Sequence, residues 1–177
     1  MHMPFDLPEN GFVISVPGAT SGEQSLKSFG VYEFPAAYEY RYRMTRYIAP
    51  RSTTGAMRRL YKIAAFLLFV PTDADARENA LLQAALTPSQ TERLNAFLAH
   101  EALHGRRPDT LMRYFITDGT VELLRFSLNG VPGFFPTVSS SNQFRCYFLR
   151  NELLAQRRHP VMLERSAYAH LKYYPLE

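Results

Sequence analysis

The chain has one cysteine and no tryptophan in 177 residues. A single cysteine excludes an intramolecular disulfide framework and a zinc site built from several thiolates. Cys146 lies in an apolar run with Phe144, Tyr147 and Phe148. We therefore predict that Cys146 is a small core residue rather than a catalytic thiol.

Long apolar segments are also missing. The longest apolar run covers residues 63–70, whereas a membrane-spanning helix needs about 20 apolar residues. The N-terminal residues include Pro4, Asp6, Pro8 and Glu9, where a secretory signal would need an apolar stretch. We therefore expect no membrane span and a cytoplasmic location.

Sequence motifs of several common enzyme classes are absent. The chain has no Gly-x-Ser-x-Gly elbow of a serine hydrolase, no phosphate-binding glycine loop and no dinucleotide-binding fingerprint. The net charge of +4 is mildly basic. This charge allows nucleic acid or an acidic protein as a partner without requiring either.

The residues that are abundant are typical of a folded globular protein. Hydrophobic residues make up 46% of the chain, and it contains 13 Phe and 11 Tyr. Disordered chains lack aromatic residues at this level. The length fits one domain better than two, so we predict a single domain covering residues 1–177.

The first half of the chain is predicted to contain two strands followed by helices. Residues 11–17 and the alternating residues 38–48 indicate the strands. Apolar residues spaced three and four apart predict a helix at 56–69, and residues 74–85 form a second candidate. A third helix is predicted to begin at Thr87 and to end at His104.

The third predicted helix has recognisable signals at both ends. Thr87 is a capping residue, Pro88 occupies the first helical position and Gln90 completes a capping box. Gly105 is suited to end the helix directly after His104.

The second half of the chain is predicted to be rich in strands. Asp118-Gly119 predicts a hairpin turn within residues 114–128, and Asn129-Gly130 marks another turn. Residues 142–149 indicate a further strand, and residues 151–157 a short helix. We therefore predict an α+β fold, with a helical block at about 56–104 followed by a mostly antiparallel β-sheet.

The third predicted helix carries the sequence His100-Glu101-Ala102-Leu103-His104. Histidines four residues apart lie on one side of a helix, where both can bind one Zn²⁺, and the glutamate beside them can activate a zinc-bound water. This pattern predicts zinc-dependent peptide hydrolysis, with His100 and His104 as ligands and Glu101 as the general base. A third ligand must come from elsewhere in the chain.

The residues around the motif include features for and against a zinc site. Glu101 falls within an apolar helical stripe that includes Phe97, and a buried glutamate needs a compensating partner, which favours a functional role. However, Gly105 and Pro108 are expected to end the helix directly after the motif. Arg106 also stands where zinc-peptidase helices usually keep an apolar residue.

Residues 99–112, AHEALHGRRPDTLM, resemble the active-site segment of the prenyl-protein zinc endopeptidases and their bacterial heat-shock relatives. The segment is also similar to that of the β-lactam-sensor zinc peptidases. The match extends to Arg106, Arg107, Asp109 and Leu111, which follow the second histidine as in those families. The remainder of the chain does not follow them, since those families carry membrane helices and are mainly helical after the motif.

The resemblance also implies a third zinc ligand. In those families it is the glutamate of a later Glu-x-x-Ala-Asp segment, which Glu164 and Ala167 match, whereas Tyr168 replaces the aspartate. The resemblance thus implies a Zn²⁺ cofactor, a peptide or protein substrate, and Glu164 as the third ligand. Four other residues remain open as third ligands: Glu122, Glu152, His159 and His170.

A basic and aromatic segment supports a different function. In a strand, Tyr40 and Tyr42 would share one face, while Arg41 and Arg43 would share the other. Such a strand can stack single-stranded bases and hold phosphates, although tyrosines also occur on ordinary half-buried strands.

Three functions therefore remain open from the sequence. They are a zinc metallopeptidase, a single-stranded nucleic-acid-binding module that uses residues 38–48, and a non-catalytic protein- or ligand-binding domain, which leaves no short motif.

Overall fold

The computed structural model of the chain describes residues 10–138 and 145–175, and it has an α+β architecture. Eight strands lie within these residues: β1 (Phe12–Pro17), β2 (Val31–Pro35), β3 (Tyr47–Arg51), β4 (Arg59–Phe69), β5 (Met112–Leu123), β6 (Phe126–Leu128), β7 (Val131–Phe134) and β8 (Cys146–Leu149). The α-helices in the same ranges are α1 (Ala19–Phe29), α2 (Ala74–Ala84), α3 (Pro88–Leu103), α4 (Arg150–Leu154) and α5 (Arg165–Tyr168).

Six of the strands form one mixed sheet in the order β2-β5-β4-β3-β1-β8. β1 and β3 are parallel, and the other neighbouring pairs are antiparallel. The strands β6 and β7 form a separate hairpin. β2 and β8 form the two opposite edges of this sheet. Elements that pack near β2 are therefore separated from those that pack near β8 by the width of the sheet.

The core lies on both faces of this sheet, because neighbouring residues of a strand point to opposite sides. One face is formed around Ile14, Phe34 and Phe115 and is covered by residues of the segment 42–44 and by Tyr174. On the other face, α3 covers one half through Leu94 and Phe97, and residues near α4 cover the second half.

The prediction of a helix at 56–69 is wrong, because the central strand β4 occupies residues 59–69. β4 pairs with β3 on one side and with β5 on the other. Its apolar residues pack on both faces, as Phe66 and Leu67 do. A strand buried on both faces is apolar at nearly every position, so helical spacing arises in it without a helix. The sheet therefore begins before the helical part of the chain, not after it.

The prediction of a strand at 38–48 is also wrong for most of that segment. Residues Tyr38–Tyr40 form a 3₁₀ turn, and the strand β3 starts only at Tyr47. Between them, the described pairing is an isolated bridge from Arg43 to Tyr173. The tertiary contacts of this segment, rather than the alternation of aromatic and charged residues along it, determine its backbone conformation.

The hairpin predicted at Asp118-Gly119 does not form, because β5 continues through both residues. Tyr61 pairs with Val121 and Ile63 pairs with Thr117, so β5 has extra residues at this point. Gly119 has a φ of +93°, which glycine adopts at low cost. The Asp-Gly pair therefore produces a bulge rather than a chain reversal.

Several local predictions are confirmed. β1 and α2 lie where expected, and a turn at Asn129-Gly130 connects β6 to β7. α4 overlaps the short helix predicted at 151–157, although it begins one residue earlier and ends at Leu154. The strand predicted at 142–149 is confirmed from Cys146 onward, whereas residues 142–144 lie outside the described residues. No helix in the described ranges is both long and apolar enough to cross a membrane.

Candidate functional site

α3 forms as predicted and presents the His-Glu-x-x-His motif at its C-terminal end. The Thr87 hydroxyl accepts from the Gln90 backbone N–H, and the Gln90 side chain accepts from the Thr87 N–H. Leu94 and Phe97 are buried against the sheet. This burial fixes the helix, so the residues one turn later lie at its accessible end.

The two histidines of the motif lie beside each other. Their ring centres are 4.2 Å apart, and the His100 ring packs at 5.3 Å from that of Phe29. His104 is the exposed cap of α3, and its Nδ1 lies 2.7 Å from the His100 carbonyl oxygen. The prediction that both histidines lie on one side of a helix is thus confirmed.

Glu101 has a partner, and that partner is a cation. Arg106 donates to both carboxylate oxygens, with Nε at 2.9 Å and Nη2 at 3.0 Å. The Glu101 side chain is only 15% exposed, so this paired geometry compensates the partly buried charge. The ion pair explains how a glutamate is accommodated on the core-facing stripe.

The structure does not bring Glu164 to the histidines. Glu164 is exposed and precedes α5, where Leu163 donates its N–H to the Tyr147 carbonyl of β8. α3 instead packs on β2 and β5, toward the other edge of the sheet. These positions do not support Glu164 as a ligand of the same ion.

The alternative third ligands are engaged elsewhere. Glu122 forms an ion pair with Arg150, Glu152 accepts from Arg157 and from the Val161 N–H, His159 lies near the Thr137 carbonyl, and the His170 ring packs on Phe12. Within residues 10–138 and 145–175, no three His, Cys, Asp or Glu side chains are grouped so that they could hold a metal ion. Zinc-dependent hydrolysis therefore stays an untested prediction.

A cavity of about 380 Å³ lies beside this end of α3. Its charged lining residues are Glu33, Arg77, Glu101, Arg106 and Arg107. Burial raises the pKa of the Glu33 carboxyl, and the negative charge of Glu101 raises it further, while the Tyr114 hydroxyl and Arg106 act in the opposite direction. The cavity thus contains a carboxyl group that resists ionisation.

The tyrosines proposed for base stacking are not available on an open face. Tyr42 is 0% exposed, and its ring centre lies 4.8 Å from that of Phe34 in the core. Tyr40 is half-buried and packs against the same core. The prediction that Tyr40 and Tyr42 form a stacking surface is therefore not supported by their burial.

The two arginines of this segment are differently placed. The guanidinium carbons of Arg41 and Arg43 lie 3.9 Å and 3.7 Å from the centre of the Tyr173 ring. The Arg43 backbone N–H donates to the Tyr147 hydroxyl at 2.8 Å, and its Nη1 donates to the Leu171 carbonyl at 2.7 Å. These contacts tie the segment to β8 and to the C-terminal residues.

Both arginines line a second cavity of about 360 Å³, which we name the arginine–tyrosine pocket. Its lining residues are Arg41, Arg43, Arg145, Tyr147, Arg165, Tyr168 and Tyr173. None of these seven residues, all within the described part of the chain, is acidic. They come from three separate segments of the sequence, which only the tertiary structure brings together.

Hydrogen bonds and ring contacts hold the walls of this pocket. Arg145 donates from Nη1 to the Glu39 carbonyl at 2.8 Å, and the rings of Tyr147 and Tyr168 stack with centres 4.2 Å apart. Burial raises the pKa of Tyr147 to about 12, although Arg43 and Arg145 counteract the rise. The Tyr147 hydroxyl is therefore neutral at physiological pH.

The sequence patterns did not indicate five of these residues as site residues: Arg145, Tyr147, Arg165, Tyr168 and Tyr173. The signal that could have identified them is weak. It consists of the tyrosines near the C-terminal end and of isolated arginines before them. Comparison of the chain with protein-family models, with curated proteins and with solved structures found no match in any of the three.

Proposed function

We propose that the chain is a non-catalytic binding domain whose arginine–tyrosine pocket holds a ligand that carries phosphate groups. The observation that carries this proposal is that four arginines line one cavity, and that its lining within residues 10–138 and 145–175 includes no acidic residue. A guanidinium binds phosphate oxygens through two parallel hydrogen bonds and remains charged at any physiological pH.

The arrangement of the arginines supports binding, because part of their side-chain entropy is lost before a ligand arrives. Arg43 and Arg145 each donate one hydrogen bond to a backbone carbonyl. Since a guanidinium has five N–H donors, such a bond orients the group and leaves donors for a ligand. The ring of Tyr173 orients Arg41 and Arg43 in the same way.

The composition of the pocket favours binding over catalysis. Among the described residues, its lining contains neither a carboxylate nor an imidazole nor a thiol, which are the usual groups for acid–base or nucleophilic chemistry. The Tyr147 hydroxyl accepts a hydrogen bond from the Arg43 backbone N–H. Because its pKa is raised, it is rarely deprotonated to the tyrosinate that would act as a nucleophile. The proposal is compatible with the predicted cytoplasmic location, which stays a prediction.

Calorimetric titration with inorganic pyrophosphate tests the proposal. The double variant Arg145→Gln/Arg165→Gln should bind pyrophosphate roughly tenfold or more weakly, because charge-assisted hydrogen bonds are lost. The control Arg107→Gln/Arg125→Gln removes the same charge from exposed residues outside this pocket. We expect its affinity to remain within about twofold of the native chain, since distant exposed charges are screened.

Two results would contradict the proposal. One is the absence of any pyrophosphate binding by the folded native chain at low salt. The other is an equal loss of affinity in the two double variants, which would assign the binding to net charge and not to the pocket.

A further inference from the structure

The arginine–tyrosine pocket contains more positive charge than a single phosphate group can balance. Arg43, Arg145 and Arg165 alone contribute three positive charges to its lining, whereas one phosphate monoester carries about −1.5 to −2 at neutral pH. Full charge compensation therefore calls for at least two phosphate groups. The ligand is then either a compound with linked phosphates or a chain in which phosphates recur.

The size and lining of the pocket indicate that the ligand also has an organic part. The cavity of about 360 Å³ lies within the range of roughly 300–1,000 Å³ found for pockets that take organic ligands. Three aromatic rings belong to its wall. Aromatic wall residues are suited to contact the organic part of a ligand, which phosphate groups alone do not provide.

Tyr168 is the ring best suited to receive a base. It is half-buried, lines the pocket and is held in position by its stack on Tyr147, with an angle of 29° between the rings. An aromatic ring with a fixed plane accepts a nucleobase with little further loss of entropy. Recurring phosphates next to such a ring match the chemistry of a nucleic acid strand.

A single strand fits these features better than a duplex. Bases in a duplex are stacked on each other and cannot be placed against a protein ring, whereas single-stranded bases can. We infer that the arginine–tyrosine pocket binds single-stranded nucleic acid, with phosphates on the arginines and a base against Tyr168. This inference rests on the proposed function and names the class of its ligand.

The test compares four probes on the full chain. They are a fluorescein-labelled ten-nucleotide single strand, the same sequence as a duplex, a nucleoside triphosphate and inorganic pyrophosphate. We expect the single strand to bind at least tenfold more tightly than each of the others at the same salt concentration. The Arg145→Gln/Arg165→Gln variant should weaken binding of the strand, and the Arg107→Gln/Arg125→Gln variant should not.

Variants of Tyr168 separate base contact from phosphate contact. Tyr168→Leu should reduce the ratio of single-strand affinity to pyrophosphate affinity roughly fivefold or more, since stacking on the ring is lost. Tyr168→Phe keeps the ring and should retain the ratio. Circular dichroism and an unfolding curve establish that both variants are folded.

The outcomes distinguish this inference from the function on which it rests. If pyrophosphate binds but the single strand binds no more tightly than the triphosphate or the duplex, the nucleic-acid inference is wrong and the phosphate-binding function stands. An unchanged affinity ratio in folded Tyr168→Leu likewise contradicts the inference. If no probe binds, both are wrong.

Discussion

The guanidinium carbon of Arg43 lies 3.7 Å from the centre of the Tyr173 ring, although the two residues are far apart in sequence. An antiparallel bridge between their backbones accompanies this contact. The guanidinium of Arg41 contacts the same ring. Tyr173 is therefore the residue that holds two arginines of the pocket in place.

This relationship predicts the effect of changing Tyr173. Tyr173→Leu should weaken pyrophosphate binding roughly 5- to 30-fold, because two cation–π contacts of about 0.5–1 kcal/mol each no longer orient the arginines. Tyr173→Phe keeps the ring and should stay within about twofold of the native affinity. Calorimetric titration measures both, and equal losses in the two variants would show that the ring is not what matters.

The geometry around Glu101 predicts the result of a metal analysis. We expect no stoichiometric zinc in the purified chain after equilibration with Zn²⁺, because Arg106 already binds Glu101 and the described residues offer no third ligand.

The same ion pair predicts a loss of stability when Glu101 is changed. Glu101→Gln should lower the free energy of unfolding by about 1 kcal/mol through loss of the ion pair. Glu92→Gln, an exposed change on the same helix, is the control.

The zinc-peptidase hypothesis makes the opposite prediction for the same samples. One zinc per chain, lost in His100→Ala and His104→Ala but retained in Glu101→Gln, would support it. In that case a residue outside the described ranges, or a rearranged one, must supply the third ligand.

Glu33 predicts a dependence of stability on pH. Its pKa in the folded chain is raised above the ordinary value of 4.5, mainly by burial. The folded chain therefore binds more protons than the unfolded chain between these two pKa values, and stability falls as the pH rises through that window. Glu33→Gln should gain free energy of unfolding relative to the native chain above pH 4.5, with little difference below it.

Chemical unfolding at pH 4 and pH 7 measures this difference. Glu78→Gln, an exposed change on α2, is the control and should show no comparable gain. A Glu33→Gln variant that is less stable than the native chain at pH 7 would mean that the ionised carboxylate stabilises the fold.

Arg113 predicts a stabilising substitution. Its side chain is 0% exposed, and Nη1 donates to the Tyr40 carbonyl at 2.6 Å. Its buried Nε and Nη2 have no hydrogen-bond partner in the described structure. Replacing a poorly compensated buried charge with an apolar side chain is often neutral or stabilising by about 1–4 kcal/mol, so Arg113→Met should retain or increase the free energy of unfolding.

Arg93 provides the matched control for Arg113. Burial lowers the pKa of both arginines, but Arg93 donates to the carbonyls of Phe29 and Thr117. Arg93→Met should therefore destabilise the chain by about 1–3 kcal/mol. If urea unfolding shows equal losses in the two variants, the Arg113 charge is better compensated than its contacts indicate.

The features that the sequence determined by itself are local ones. The capping box at Thr87 and Gln90 specifies where α3 begins, because both hydrogen bonds are made within four residues. The turn at Asn129-Gly130 similarly depends on residues that tolerate positive φ. The α+β class and the position of the two histidines on one helix followed from such local signals.

Tertiary packing decided what these signals could not. Burial on both faces made β4 a strand despite its helical spacing, and pairing with β4 turned Asp118-Gly119 into a bulge. The pocket depends on the same kind of information. Arg43 contacts Tyr147, which is 104 residues away in sequence, because β8 joins the sheet beside β1. Residues 171–174 also pack against the segment 41–43. No short motif encodes such a meeting, since its distances are set by strand order and not by sequence spacing.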